Sequence, residues 1–242
     1  MATEAAADPL FTDLDTVLTT TRAVRRRLDY DRPVPAAVID ECLGLALQAP
    51  TGGHAEDWRF LVIGDPDLKR QIGALYRQAF EDQVLAPMRA DGAQSSVVRG
   101  RLGGVTGADV DERTARMLAG AEYLADNIGR APWLVLPCAT RPSPEHGASG
   151  TVSAVYGSIY PAVWSFQLAL RSRGLGSIIT TLHLHAADEV ADLLGIPDGT
   201  TQVALLPVAY TLGTEFSPAA RRPLHEVAFR DRWDEPFDAE AE

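Results

Sequence analysis

Three arginines stand close together near the start of the chain: Arg22, Arg25 and Arg26, in the run "TTRAVRRRLDY". A guanidinium group binds phosphate and carboxylate oxygens through paired hydrogen bonds, so this cluster could hold an anionic ligand. The alternative is a solvated face near a helix C-terminus, where cations interact favourably with the helix dipole. The apolar spacing predicts one helix over residues 14–27 and places the three side chains on one of its faces.

A second stretch with binding chemistry is "APTGGHAEDW", residues 49–58. Its turn, Pro50-Thr51-Gly52-Gly53, offers a hydroxyl and sterically open backbone N–H groups to the edge of a flat polar ligand. A helix ends and a strand begins here, so no helix N-terminus faces the turn, unlike the arrangement in phosphate-binding loops. Taken alone, the turn fits a plain connecting loop better than a ligand site.

His183 and His185, in "TTLHLH", would point to the same side of a strand, as two metal ligands can. No cysteine or carboxylate at ligand spacing accompanies them, so helix capping by His185 or plain packing is favoured and no metal site is predicted. The sequence also has no Gly-x-Ser-x-Gly and no Gly-x-Gly-x-x-Gly after a strand. No catalytic side chain is predicted, and the chemistry is expected to belong to a cofactor.

Hydrophobic periodicity predicts the elements that position these residues. Predicted helices cover residues 14–27, 36–49, 68–79, 117–128, 158–173 and 187–194, and predicted strands cover residues 58–64, 132–138, 177–182 and 202–210. Helices and strands mix without strict alternation, which favours an α+β fold with helices on both faces of one sheet. We expect a single domain over residues 1–242, with a mobile excursion at about 89–111 and an extended tail at about 214–242.

The composition excludes several classes of partner. A formal net charge of −11 disfavours general binding to nucleic acid or to an anionic membrane. The N-terminal run "MATEAAADPLF" has no basic start, and no stretch reaches the length of a membrane span. Cys42 and Cys138 lie in apolar segments without metal-ligand spacing, so both are expected to be buried and reduced. A cytoplasmic protein is therefore predicted.

The chain resembles the nitroreductase-like flavoprotein family, in particular an actinobacterial branch, over residues 17–227. Four segments carry the resemblance in order: "TTRAVRRRLDYDRPVPAAVIDECLGLALQAPTGG", "PAVWSFQLALRSRGLGS", "TTLHLHAADEVADLLGIPDGTTQVALLPVAY" and "AARRPLHEV". Each segment alone is a weak signal, but four in the right order are specific. The resemblance implies a three-layer α-β-α sandwich around a mixed, largely antiparallel sheet.

The resemblance further implies a homodimer with FMN at the subunit interface, which passes a hydride from NADH or NADPH to nitroaromatics, quinones or similar small acceptors by a ping-pong mechanism. It implies that Arg22, Arg25 and Arg221 hold the phosphate and the pyrimidine end of FMN. Pro50, Thr51 and Gly52 would line the isoalloxazine, and the backbone of Ile179, Thr180, Thr181 and Leu182 would reach N5 and O4. Ala23 and His54 occupy two further cofactor positions. Nearby cations and N–H groups stabilise a reduced flavin, so no catalytic acid or base is needed.

The chain departs from the family pattern at several of these positions. Ala23 replaces a usual serine, and His54, Glu56 and Asp57 replace a usual Asn, Gln and Pro. An ionised Glu56 can only accept hydrogen bonds, whereas a glutamine both donates and accepts. An alternative function is therefore a family member that binds or stores flavin with little or no turnover. The sequence selects neither the electron acceptor nor NADH over NADPH.

Overall fold

A sheet lies at the centre of the protein. The computed structural model describes residues 9–91, 112–142 and 149–237. The strands in this part of the chain are β1 (Leu28–Asp29), β2 (Trp58–Ile63), β3 (Trp133–Ala139), β4 (Leu175–Gly176), β5 (Thr201–Gln202) and β6 (Leu206–Thr211). The main order is β1-β6-β3-β2, with β4 beside β6 and β5 beside β3. All of these strand pairs are antiparallel, while Ala23 and Ser177 form an isolated parallel bridge.

Helices cover both faces of this sheet. They are α1 (Leu14–Thr20), α2 (Ala36–Ala46), α3 (Pro66–Phe80), α4 (Ala86–Asp91), α5 (Glu112–Asn127), α6 (Ser149–Ser172) and α7 (Ala187–Leu194). On one face α2 and α6 pack together and share a hydrophobic cluster with the sheet. On the other face α3, α5 and α7 form a second cluster. Within the described residues, no helix has the length and apolar character needed to cross a bilayer.

Strand β3 connects the two hydrophobic clusters. Val135 packs into the α2/α6 cluster, whereas Leu134 and Leu136 pack into the α3/α5/α7 cluster, as the alternation of side chains along a strand requires. Because both faces are covered, β3 is an almost continuous apolar run, which is how the sequence revealed it. The predicted α+β class, with a largely antiparallel central sheet between helical layers, is confirmed.

Several predicted elements are confirmed and owe their ends to local chemistry. The Asp65 carboxylate accepts hydrogen bonds from the N–H groups of Asp67 and Leu68, both at 2.9 Å, and Pro66 opens α3. Gly195 ends α7 in a left-handed conformation with φ 65°.

Cys42 and Cys138 are fully buried and unpaired, as predicted, and burial raises their thiol pKa values to about 11 and about 12.

The predicted helix over residues 14–27 is wrong beyond Thr20. The hydroxyls of Thr20 and Thr21 each donate to a backbone carbonyl four residues earlier, at 2.6 Å, and β-branched residues of this kind favour a helix weakly. The chain then extends, and the Val24 N–H donates to the Ser177 carbonyl at 2.9 Å. The arginines at positions 22, 25 and 26 therefore do not share a helix face.

Three further element predictions need correction. Residues 177–182 form no regular strand, because Thr180 pairs with Leu205 only as an isolated bridge and a 3-10 turn begins at Leu182. The predicted strand over residues 202–210 is divided into β5 and β6. Helix α6 begins at Ser149 rather than at Ser158, since glycines and serines weaken the helical signal in its first turns.

Two regions that the sequence predicts to be irregular extend beyond the residues that the structure describes. Of the predicted excursion at 89–111, residues 89–91 belong to α4, and residues 92–111 lie outside the described residues. The tail is described as far as Phe237 and contains a short 3-10 turn at Leu224–Glu226. That the chain forms a single domain over residues 1–242 stays a prediction.

Gly64 provides a test of this packing, because a Cβ at that position would overlap the ring of Trp133. The ring cannot swing away easily, since its Nε1 donates to the Val34 carbonyl at 2.8 Å. We expect Gly64→Ala to lower the free energy of unfolding by about 1–3 kcal/mol in urea titrations. Gly44→Ala is the matched control, since a Cβ in α2 meets nothing within 4 Å. Equal stability of the two variants would contradict this packing.

Candidate functional site

A cavity of about 250 Å³ lies between α3, α5 and the segment at residues 178–182. It brings together five of the predicted cofactor residues: Arg25, Ile179, Thr180, Thr181 and Leu182. The rest of the lining is mainly apolar and includes Phe80, Val84, Met117, Leu118, Ala121 and Leu124. The cavity is therefore mostly hydrophobic with a few polar groups, which suits a flat ligand with a polar edge.

Arg25 is the positive charge of this cavity. Its side chain is half-buried, and burial lowers its pKa, an effect that the nearby Tyr76 partly offsets. Within the described ranges, no carboxylate forms an ion pair with this guanidinium. A cation without a counter-ion at an apolar cavity has a strong attraction for an anionic or electron-rich ligand.

Tyr76 is a site residue that the sequence did not reveal. Its hydroxyl lies 2.8 Å from the hydroxyl of Thr180, and both residues line the cavity. Burial raises the pKa of Tyr76, while the hydrogen bond with Thr180 and the charge of Arg25 oppose that rise. Thr180 is held in turn by two backbone hydrogen bonds with Leu205, at 3.1 and 2.8 Å. The pair thus places a protonated, fixed set of hydroxyls at the cavity.

The predicted cofactor loop at Pro50, Thr51, Gly52 and His54 lies elsewhere and does not line this cavity. The Gly52 N–H donates to the Ser158 hydroxyl of α6 at 3.0 Å, which ties the loop to that helix. Gly52–His54 forms a 3-10 turn, and Gly53 within it has φ 63°. In a single chain this loop is therefore separate from the predicted FMN contacts at Arg25 and residues 179–182.

The residues that depart from the family pattern adopt a strained backbone. His54 has φ 54° and Glu56 has φ 45°, a region that residues with a Cβ seldom occupy. The two side chains are exposed and pair with each other, with His54 Nε2 and Glu56 Oε1 3.2 Å apart. Asp57 instead forms an ion pair with Arg141. Glu56 is thus turned toward His54, and Asp57 ties the start of β2 to the end of β3.

The remaining predicted arginines are dispersed. The Arg22 guanidinium donates to the Ser217 carbonyl, and Arg26 donates to the Ala119 carbonyl at 3.2 Å. Arg221 lies exposed in the tail, and Ala23 is exposed beside its bridge to Ser177. The predicted shared positive face of Arg22, Arg25 and Arg26 is therefore wrong, because the helix ends at Thr20 and the chain turns at residues 25–27.

His183 and His185 do not face the same side. They lie in the 3-10 turn Leu182–Ala186, where His183 is fully buried and His185 is exposed. Neither ring nitrogen of His183 has a hydrogen-bond partner among the described residues, and burial lowers its pKa to about 4. In the part of the chain that the structure describes, no three His, Cys, Asp or Glu side chains are grouped to hold a metal. His183 is therefore a neutral core residue.

Comparison with known proteins shows which family and which relatives this chain is similar to. The model of the "Nitroreductase family" matches residues 18–210. An iodotyrosine deiodinase of Daphnia pulex is 26% identical over 201 residues, and the alignment covers 81% of this chain and 59% of that longer protein. The chain thus spans about six tenths of the length of that relative.

Two solved structures show the same fold. One is an oxidised iodotyrosine deiodinase bound to FMN and 3-iodo-L-tyrosine, with a TM-score of 0.61, 22% identity, and coverage of 91% of this chain and 100% of that one. The other is an FMN-dependent nitroreductase of Mycobacterium smegmatis in complex with NADPH, with a TM-score of 0.61, 19% identity, and coverage of 90% and 97%.

The buried imidazole of His183 generates a prediction about pH. The unfolded chain takes up a proton near the ordinary pKa of 6.5, whereas the folded protein keeps His183 neutral down to about 4. The free energy of unfolding should therefore fall as the pH drops through that window, by about 3 kcal/mol at most. His183→Gln should flatten this slope in urea titrations, and His225→Gln, in the exposed tail, should not. Unchanged slopes in both variants would contradict the assignment.

Proposed function

The chain belongs to the nitroreductase family, and on that premise we propose that it is an FMN-dependent oxidoreductase that uses NADH or NADPH to reduce nitroaromatics, quinones or similar small acceptors. The observation that carries the proposal is the cavity in which Arg25 meets the segment at residues 178–182. Both belong to the region that the family model matches. The FMN and NADPH named with the Mycobacterium smegmatis structure support the choice of cofactor and reductant.

The residues of the cavity fit FMN. FMN combines an anionic phosphate with a flat ring whose edge carries both donors and acceptors. Arg25 is a cation to which the described residues offer no ion pair, and the hydroxyls of Tyr76 and Thr180 donate and accept. The walls from α3 and α5 suit a flat apolar face. The phosphate and pyrimidine roles of Arg22 and Arg221 remain part of the proposal, with the tail supplying Arg221.

The size of the cavity supports a site shared between two copies of the chain. At about 250 Å³ it is smaller than the roughly 300–1,000 Å³ typical of pockets that enclose a small molecule. The second group of predicted contacts, Pro50 to His54, lies against α6 instead. On the two helices that pack together in this layer, Leu45 of α2 and Trp164 of α6 are 51% and 42% exposed. We therefore propose a homodimer in which this apolar surface brings the loop of one copy to the cavity of the other.

When bound, FMN would accept a hydride from the nicotinamide and pass it to the acceptor. The chain's own residues would hold the ligand in position and stabilise its charge. Arg25 would stabilise negative charge that develops on the ligand, an effect strengthened by the apolar surroundings. The Tyr76 and Thr180 hydroxyls would fix the orientation of a polar edge, and the walls from α3 and α5 would exclude water. Tyr76 keeps its proton at neutral pH, so it acts as a hydrogen-bonding group and not as a base.

A second candidate function is reductive dehalogenation of an aromatic substrate. It is favoured by the deiodinase relative in Daphnia pulex and by the deiodinase structure that holds FMN and 3-iodo-L-tyrosine. An amino acid substrate carries an ammonium group, which needs a carboxylate partner when it is desolvated. The described residues that line the cavity include no acidic side chain. Turnover with the two classes of substrate decides between this candidate and reduction of nitroaromatics or quinones.

Binding of FMN through Arg25 is the first testable consequence. We expect the purified protein to take up FMN, and Arg25→Gln to weaken that binding about 10- to 100-fold by removing a charge-assisted contact. Arg26→Gln is the matched control, because the Arg26 side chain is exposed and does not line the cavity. Quenching of FMN fluorescence measures both affinities. A wild-type protein without flavin absorbance that takes up no added FMN would refute the proposed function.

Turnover separates the proposed function from its alternatives. Stopped-flow absorbance should show rapid reduction of the bound flavin by NADH or NADPH, followed by rapid reoxidation on adding a quinone or a nitroaromatic. Tight FMN binding with negligible reduction would instead identify a flavin-binding or flavin-storing protein, the outcome that the altered residues His54 and Glu56 motivate. Iodide release from 3-iodo-L-tyrosine, with slow quinone reduction, would select the second candidate.

A further inference from the structure

A buried arginine lies near the C-terminal end of α6, outside the candidate cofactor cavity. Arg171 is only 4% exposed. Its Nε and Nη2 donate to the Thr20 hydroxyl at 3.2 and 3.0 Å, and Nη2 also donates to the Thr214 carbonyl at 2.9 Å. The guanidinium carbon lies 4.3 Å from the ring centroid of Phe11 and 4.9 Å from that of Phe216. The Nη1 group, however, is buried and has no hydrogen-bond partner among the residues that the structure describes.

Two more guanidinium groups, those of Arg27 and Arg22, act on Arg171, and the carboxylate of Glu215 opposes them in part. Arg27 donates to the carbonyls of Leu212, Gly213 and Glu215, each at 2.9 Å, and Arg22 donates to the carbonyl of Ser217. Among residues 9–91, 112–142 and 149–237, no carboxylate forms an ion pair with any of the three. The three guanidinium groups donate mainly to backbone carbonyls and pack on aromatic faces. They outnumber the single carboxylate of Glu215, so the cluster keeps a net positive charge.

A small cavity opens between these side chains. It has a volume of about 10 Å³, and its polar lining comes from Arg22, Arg171, Gln167, Ser177, Thr20 and Thr21. The Gln167 amide donates to the Ser177 hydroxyl at 2.9 Å, so this part of the lining is fixed. A cavity of that volume holds about one water-sized particle. It is too small for phosphate, sulfate or a carboxylate group.

We propose that this cavity is a binding site for a monatomic anion of the size of chloride. A buried N–H without a partner and a buried charge that is only partly compensated both raise the free energy of the folded state. A water molecule would satisfy the N–H of Arg171, whereas an anion satisfies both the N–H and the charge. The bound anion would link the end of α1, the end of α6 and the segment at residues 212–217. The site shares no residue with the cavity at Arg25, although it shares Arg22 with the proposed FMN contacts. The chloride test uses the protein without added FMN, so its failure is distinguishable from a failure of the proposed function.

Thermal unfolding of the full chain tests the proposal. The melting temperature should rise by about 2–5 °C, and saturate, as sodium chloride increases from about 5 to about 300 mM, because the ion binds only the folded state. Sodium gluconate at the same ionic strength should give a much smaller change, because its anion does not fit the cavity. Bromide should act like chloride. Equal effects of chloride and gluconate on the wild-type protein would overturn the proposal.

Two variants test whether the chloride-dependent rise in melting temperature depends on Arg171. Arg171→Lys keeps the charge but loses the planar set of donors, so it should lose most of the chloride-dependent shift. Arg173→Gln is the matched control near the same helix end: Arg173 pairs with Glu41 at 3.4 Å and does not line the cavity. It should keep the whole shift. An equal shift in wild type and Arg171→Lys would place the ion elsewhere and overturn the assignment.

Anomalous diffraction from crystals soaked in sodium bromide locates the ion. A bromide peak beside Arg171 Nη1, together with the saturable thermal shift, supports the site. A peak there without any chloride-dependent stabilisation would mean an adventitious ion only and would overturn the proposal. Should Arg171→Lys fail to fold, the comparison of chloride with gluconate and the position of the bromide peak in the wild-type protein still decide the question.

Discussion

Burial of β3 on both faces is the constraint on which the rest of the structure depends. Its side chains alternate between the α2/α6 cluster and the α3/α5/α7 cluster, so neither helical layer can be removed without exposing the strand. The candidate cavity lies in the second layer, where α3 and α5 face the segment at residues 178–182. The loop at Pro50 to His54 lies against the first layer, at α6. The same double-sided core therefore separates the two groups of residues that are expected to meet FMN.

Within the cavity, the decisive feature is electrostatic. Arg25 contributes a positive charge to a mostly apolar space, and the described residues offer it no carboxylate. The hydroxyls of Tyr76 and Thr180 are held together at 2.8 Å, and Thr180 is anchored by backbone hydrogen bonds to Leu205. A site organised before its ligand arrives loses less entropy on binding. The chain thereby supplies charge and orientation, while the proposed chemistry is left to the cofactor.

The sequence predicted those parts of the fold whose signals are local. Strand β3 is continuously apolar, and α3 carries its own cap at Asp65, so both were found nearly at their true ends. The helix at residues 14–27 was misjudged because its end depends on a hydrogen bond between Val24 and Ser177, far apart in the sequence. The strand at residues 177–182 failed for a similar reason, since Thr180 has a bridge partner but no ladder. Apolar spacing cannot report such distant pairings.

The candidate site shows the same difference between local sequence signals and contacts between distant residues. The family resemblance named Arg25 and the residues from Ile179 to Leu182, which the fold brings together in one cavity. Tyr76 was missed because it occupies an ordinary buried position on α3, and only the contact with Thr180 distinguishes it. Arg171 was missed likewise, because its surroundings come from α1, α6 and the residues that follow β6.

The most direct test of the central claim is a crystal structure of the protein grown with FMN. The account predicts flavin density against Arg25 and residues 178–182 of one copy, completed by the loop at Pro50 to His54 of a second copy. Flavin bound away from Arg25, or a cavity that holds no flavin at saturating FMN, would contradict it.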